Sequence, residues 1–222
     1  MAEQFMLYTP IHKGIRNRMY RIASEAGKLT FKDKAATDKF GKDFSALVNN
    51  IDVHHKSEEG FIHPLLAERV PGGAEKLEED HREITHLMDN LMENLKNLTA
   101  GPADAPKRPA QGLEFYLAYN RFLFRFLEHI DEEEQHIQPI LWSLCDTEEL
   151  VSVYGRLMDA MEPAMKMENI GMIISSVNLD ELSTLLKASK ALVPPPVFQG
   201  VMDMAKKDLS DEEYTELVSR TG

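Results

Sequence analysis

Four stretches of this chain place apolar residues at steps of three and four, and a histidine interrupts each of the four seams. The first seam runs Tyr8, His12, Ile15, Met19, Ile22, Ala26. The second runs Phe40, Phe44, Leu47, Ile51, His54, Glu58, Phe61, Leu65. The third runs Leu77, His81, Ile84, Met88, Leu91, Leu95, Leu98, and the fourth Phe122, Phe126, His129, Glu133, His136, Ile140. Such steps keep one helix face apolar along its length, which is the pattern that packs helices side by side. Turn-forming segments separate the stretches: a polar connection from Gly27 to Ala36, VPGG at 70–73, and the Pro/Gly-rich AGPADAPKRPAQG at 100–112. Four long helices with short connections predict an all-α fold, an antiparallel up-down four-helix bundle over residues 1–142.

Residues 143–222 read differently. Helix starts resembling capping boxes stand at Asp146 to Glu149, Asn178 to Glu181 and Ser210 to Glu213, and VPPP at 193–196 breaks the segment once. This predicts additional, shorter C-terminal helices, packed on the bundle or serving a homo-oligomer or protein partner. Their methionines (Met158, Met161, Met165, Met167, Met172, Met202, Met204) are expected as adaptable core filler.

The formal net charge of −12 argues against nucleic acid or an anionic membrane surface as a partner, since both select basic patches. No stretch approaches the roughly 20 apolar residues of a membrane span, and the N-terminus lacks the basic and apolar regions of a secretory signal. A cytoplasmic protein is expected. The single cysteine, Cys145, excludes an internal disulfide and a cysteine-based metal cluster, and is expected to be buried and inert.

The polar residues on the seams carry the functional information. On the second and fourth helices glutamate follows histidine at four residues, so His54 with Glu58, and His129 with Glu133, aim along one face. His12 and His54 are about equidistant from the connection near residue 32, and His81 and His129 from the loop near 105. Six polar groups are therefore expected at one level of the bundle interior. HHKSEEGFIHPLL at 54–66 also aligns with HIDEEEQHIQPIL at 129–141: His, two Glu beginning four residues later, then Pro six residues after the first of these Glu. One hairpin is used twice, predicting a pseudo-twofold site of four imidazoles and two carboxylates. Mixed imidazole and carboxylate donors suit first-row transition metals such as iron or manganese, and a cation removes the cost of burying the carboxylates. Structural zinc needs only four ligands. A ferritin-like site through Glu78-x-x-His81 and Glu133-x-x-His136 fits less well, because both strings fall on adjacent helices and Glu78 lies off its seam. His55, His63 and His86 are expected at the surface or rim, and Tyr8 and Tyr119 in the core.

IHKGIR (11–16), HHKSEEGFIHPLL (54–66), EEDHREI (78–84) and HIDEEEQHIQPIL (129–141), in this order, resemble the hemerythrin family in its bacterial form with the HHE cation-binding domain. The resemblance spans about residues 8–142. It implies a non-haem di-iron centre, two iron ions joined by an oxo or hydroxo bridge, with His12, His54, Glu58, His81, His129 and Glu133 as ligands and Glu58 and Glu133 bridging. Oxygen-carrying members have His-x-x-x-His on the third helix; here Thr85 stands four residues after His81. The ligand set thus resembles the six-ligand branch linked to nitric oxide stress and repair of iron centres, without the cysteine-bearing N-terminal domain of the repair proteins. The resemblance implies a protein that binds or senses oxygen, nitric oxide or iron. It also admits an enzyme consuming peroxide or nitric oxide or delivering iron to damaged centres, or a non-redox store of divalent metal.

Overall fold

The structure, a computed structural model, describes residues 4–100, 102, 105–190 and 193–222, and every regular element among them is helical. Helices α1 (Thr9–Lys28), α2 (Lys34–Ser57), α4 (Glu75–Ala100) and α5 (Arg108–Glu132) are the four long ones. A short α3 (His63–Arg69) prolongs α2, and α6 (Gln138–Leu144) prolongs α5. Then follow α7 (Thr147–Ala160), α8 (Pro163–Ile174), α9 (Leu179–Lys190), α10 (Pro195–Asp208) and α11 (Asp211–Thr221). No helix among the described residues is long and apolar enough to cross a membrane. The chain forms two compact units, one of residues 15–137 and one of residues 1–14 with 138–222.

The first unit is the helical bundle. The predicted seams of α1 and α4 are buried throughout, from Ile15 to Ala26 and from Leu77 to Leu98. At the end of the bundle near the 100–112 loop, the core is aromatic. Phe31 lies edge-on to Phe40 and Phe115, with ring centroids 5.8 and 6.0 Å away. The Tyr119 hydroxyl donates to the Met19 carbonyl at 2.9 Å, tying α5 to α1. The expected loop 100–112 is shorter than its composition suggests. Gly101, Ala103 and Asp104 lie outside the described residues, but α5 already starts at Arg108. Pro109 sits in the first turn, where its fixed φ suits a helix and its missing N–H has no partner to lose. Buried Arg108 donates to the carbonyls of Pro102 and Phe31.

The seams of α2 and α5 depart from expectation at one place each, and in the same way. Glu58–Ile62 and Glu133–Ile137 are π-helical turns, in which the N–H of His63 reaches back five residues to the carbonyl of Glu58. The repeated proline explains both. Pro64 and Pro139 lack an N–H and would press their rings on the carbonyl four residues back, and a widened turn relieves that clash. One extra residue per turn slides the buried face by one position. Phe61 and Leu65 are only half-buried, and Ile62 and Leu66 take their places. Likewise Ile137 and Leu141 replace His136 and Ile140. The side chain of His136 is 64% exposed and pairs with Glu132 at 3.0 Å.

The second unit has its own core of Ile174, Leu182, Leu186, Val201, Met202, Ala205 and Leu217, from α8 to α11. The predicted capping boxes at Asn178 and Ser210 are complete, with Glu181 and Glu213 returning the bond. At Asp146 the side chain accepts from Glu149 N–H at 2.8 Å. Of the methionines expected as filler only Met202 is fully buried; the others are half-buried, as is Cys145.

Phe31 adopts φ +58°, a left-handed conformation unusual for an aromatic residue, and its ring fills the space beside Gly112. A Cβ at 112 would stand 2.9 Å from the Phe31 ring. Gly112→Ala is therefore expected to destabilise the fold by about 1–3 kcal/mol through overpacking, read as a lower midpoint of urea unfolding. Because this end of the bundle lies away from the histidine level, metal content should not change.

Candidate metal centre

Helices α2, α4 and α5 bring the polar residues of the seams to one level. Each π-turn opens on a glutamate, so Glu58 and Glu133 stand where the helix widens. Both carboxylates are shut from solvent, at 1% and 0% relative exposure. The His54 Nε2 lies 3.2 Å from Glu58 Oε1, one turn away on the same helix. The second half of the repeat matches it, with His129 Nε2 3.5 Å from Glu133 Oε2. From α4, His81 Nε2 comes to 3.4 Å from Glu58 Oε2. Glu58, His81, His129 and Glu133 each offer one donor atom, all within 4.8 Å of one another.

The far sides of two of these imidazoles face carboxylates. His81 Nδ1 pairs with Glu59 Oε1 at 2.9 Å, and His129 Nδ1 looks toward Asp80 Oδ2 at 3.6 Å. A carboxylate behind an imidazole fixes the tautomer and turns the other nitrogen, with its lone pair, inward; metal-binding histidines are typically held this way. Burial opposes the charge on Asp80, but Lys76 and Arg125 outweigh it and hold the carboxyl below its usual range. Arg125 also binds Glu83 and Glu128 at 2.8 and 2.7 Å.

The electrostatics fit a cation. Burial works against a charge on His81, yet its bonds to Glu58 and Glu59 raise its pKa to about 9. The carboxylates thus draw positive charge to this level even from a group that burial would keep neutral. Nitrogen and oxygen donors without sulfur match a first-row transition metal. The donor set, two carboxylates among imidazoles in a solvent-free layer, therefore fits a metal.

Of the sequence-predicted ligands, His54, Glu58, His81, His129 and Glu133 meet here. His12 is fully buried on α1, with its ring 5.6 Å from that of Tyr8. The ferritin-like alternative loses both ends, because Glu78 and His136 are exposed. His86 is exposed as expected, but His55 and His63 are buried rather than at the rim. The rings of His55 and His63 lie 3.9 and 5.1 Å from the ring of His81. Burial lowers the pKa of both, that of His55 well below the ordinary value. His63 enters because the π-turn slides the buried face by one residue; the signal was Pro64, six residues after Glu58. His55 enters because α2 buries two adjacent residues per turn here, Asn50 with Ile51 and His54 with His55.

The model of the hemerythrin HHE cation-binding domain matches residues 7–141. Comparison with curated proteins and with solved structures gives no match. The matched span contains every histidine and glutamate of the layer just described, and on that match the chain belongs to the hemerythrin HHE cation-binding domain family.

Proposed function

We propose that this cation-binding protein holds two iron ions through His12, His54, Glu58, His81, His129 and Glu133, and there binds or reacts with a small molecule: oxygen, nitric oxide or peroxide. The observation that carries the reading is the pair of fully buried carboxylates, Glu58 and Glu133, facing imidazoles from three helices. Two carboxylates related by a repeat suit a pair of metals better than one, because each can be shared. His12 is assigned by its full burial and by its place in the repeat, where it stands to His54 as His81 stands to His129.

When bound, an iron pair supplies redox capacity and Lewis acidity. The chain's own residues do the rest. Glu58 and Glu133 neutralise the cations and hold them at one level. Glu59 and Asp80 keep His81 and His129 oriented. Apolar residues on either side, Ile51 and Phe126 before the histidines and Ile62 and Ile137 beyond the carboxylates, keep bulk water out. Thr85, where oxygen carriers have a further histidine, is exposed and adds no donor. A ligand position thus left for solvent or substrate supports reaction with a small molecule.

Iron content and visible absorption test the reading directly. Protein produced with ample iron should carry two irons per chain and absorb as a bridged ferric pair, losing that absorption on reduction. Protein without iron under these conditions sinks it. Mixing the reduced form with oxygen then separates the uses: a reversible adduct indicates carriage or sensing, while irreversible oxidation with peroxide turnover indicates an enzyme. His54→Ala and His129→Ala should each lose metal and thermal stability together, because each uncovers buried charge; full metal occupancy in both would refute the ligand assignment. Glu59→Gln should keep the metal but weaken it about 10–100-fold in competition with a chelator, since only the support of His81 is removed.

A further inference from the structure

We propose that the outer face of α5 binds a second copy of this chain, antiparallel and across a twofold axis that passes between residues 118 and 119. Seven large hydrophobic side chains are exposed among the described residues, and three of them, Leu113, Leu117 and Phe124, lie on one strip of α5. They stand at steps of four and seven, so the helix carries an apolar line toward solvent while Phe115, Tyr119, Phe122 and Phe126 fill the core from its opposite side. Phe124 is the extreme case, 69% exposed. Single exposed apolar residues need no explanation, but a line of them at helical spacing marks a contact surface. The bundle also offers a place for that ring. A hollow of about 430 Å³ opens beside Leu113, walled by Leu29, Pro109 and Tyr116.

The charges beside the strip select the occupant. Lys107, Glu114, Arg121 and Glu128 follow one another at seven residues along one flank, alternating in sign, and all four are exposed. When two helices pair antiparallel, the residues of such a flank meet the same flank of the other helix. Setting Phe124 of one copy against Leu113 and the hollow of the other brings Glu114 beside Arg121 and Lys107 beside Glu128, and the twofold makes each contact twice. Sliding one helix by a heptad in either direction sets like charge against like. The register that seats the phenylalanine is thus the one that pairs every charge on the flank with its opposite. Glu128 already binds Arg125 of its own chain at 2.7 Å, whereas Glu114 and Arg121 have no ion-pair partner among the described residues, so they form the decisive pair. A flank complementary to its own reverse points to a copy of itself rather than to an unrelated partner. Self-association is thereby placed on the bundle, not on the C-terminal helices.

Analytical ultracentrifugation of the full-length protein over a range of concentrations tests this. The wild-type chain should form a dimer that dissociates on dilution. Phe124→Glu, a change at an exposed position, should keep the helical circular dichroism and weaken the dimer about 30-fold or more. Arg121→Glu should weaken it about tenfold, and adding Glu114→Arg to that variant should restore it to within about threefold of wild type. Residues 114 and 121 stand two turns apart on one helix, too far to pair within a chain, so restoration requires two copies. A wild-type chain still monomeric at about 100 µM, a dimer that Phe124→Glu leaves intact, or a double swap no tighter than Arg121→Glu alone each overturns the proposal. Should Phe124→Glu fail to fold, the charge series carries the test.

Discussion

Two carboxylates inside a helical bundle set the terms for everything around them. A buried, uncompensated carboxylate costs several kcal/mol at least, so Glu58 and Glu133 cannot be incidental to a stable core. Their surroundings answer that cost with imidazoles that can share a cation with them. Imidazoles come from α2, α4 and α5, and a proton on His81 is held to about pH 9 against burial by Glu58 and Glu59. Farther out, Asp80 is itself neutralised by Lys76 and Arg125. The aromatic core at the other end of the bundle, Phe31 through Tyr119, is the apolar counterweight that lets one level of the interior be polar.

The widened turns show how backbone and site depend on each other. A proline inside a helix normally ends or kinks it. Here Pro64 and Pro139 each follow a five-residue π-turn, and the helix resumes as α3 and α6. Each turn begins on the glutamate that faces the histidines. The same local feature therefore continues the helix past the proline and places the carboxylate at the widest part of the turn. π-turns inside α-helices are uncommon and often accompany functional sites; two at equivalent repeat positions tie the feature to the site.

Much of this was readable from spacing alone, and the misses have one cause. Steps of three and four located the four long helices, and the doubled His-x-x-x-Glu string located the polar level. Ile62, Ile137 and His63 were missed, and His136 wrongly placed, because the α-helical period was carried across Pro64 and Pro139. A single residue of slip exchanges a buried position for an exposed one. The prolines themselves were visible as part of the repeat; what the one-dimensional pattern lacks is the rule that the helix survives them by widening. His55 was missed for another reason. A seam assigns one residue per step, whereas α2 near its end is buried on a broader face. The second unit was legible at its caps, where Asn178 and Ser210 act locally. Its methionines were not, because how far a flexible side chain is covered depends on contacts no spacing encodes.

The two halves of the repeat are similar but not identical, and one pair of positions shows a difference. Arg16 on α1 stands four residues after His12, as Thr85 on α4 stands four after His81. Arg16 grips Glu134 through both carboxylate oxygens, at 2.8 and 2.7 Å, a bidentate pairing that fixes the orientation of that carboxylate. Glu134 is the repeat equivalent of Glu59. Opposite Glu59 the matching position is Thr85, exposed and without charge, so no arginine claims the carboxylate from that position. Glu59 turns instead to His81 Nδ1. Arginine at one of these positions and threonine at the other thus set whether an arginine from that position grips the glutamate of its half. His81, whose Nδ1 pairs with Glu59, is also the imidazole on which the rings of His55 and His63 stack.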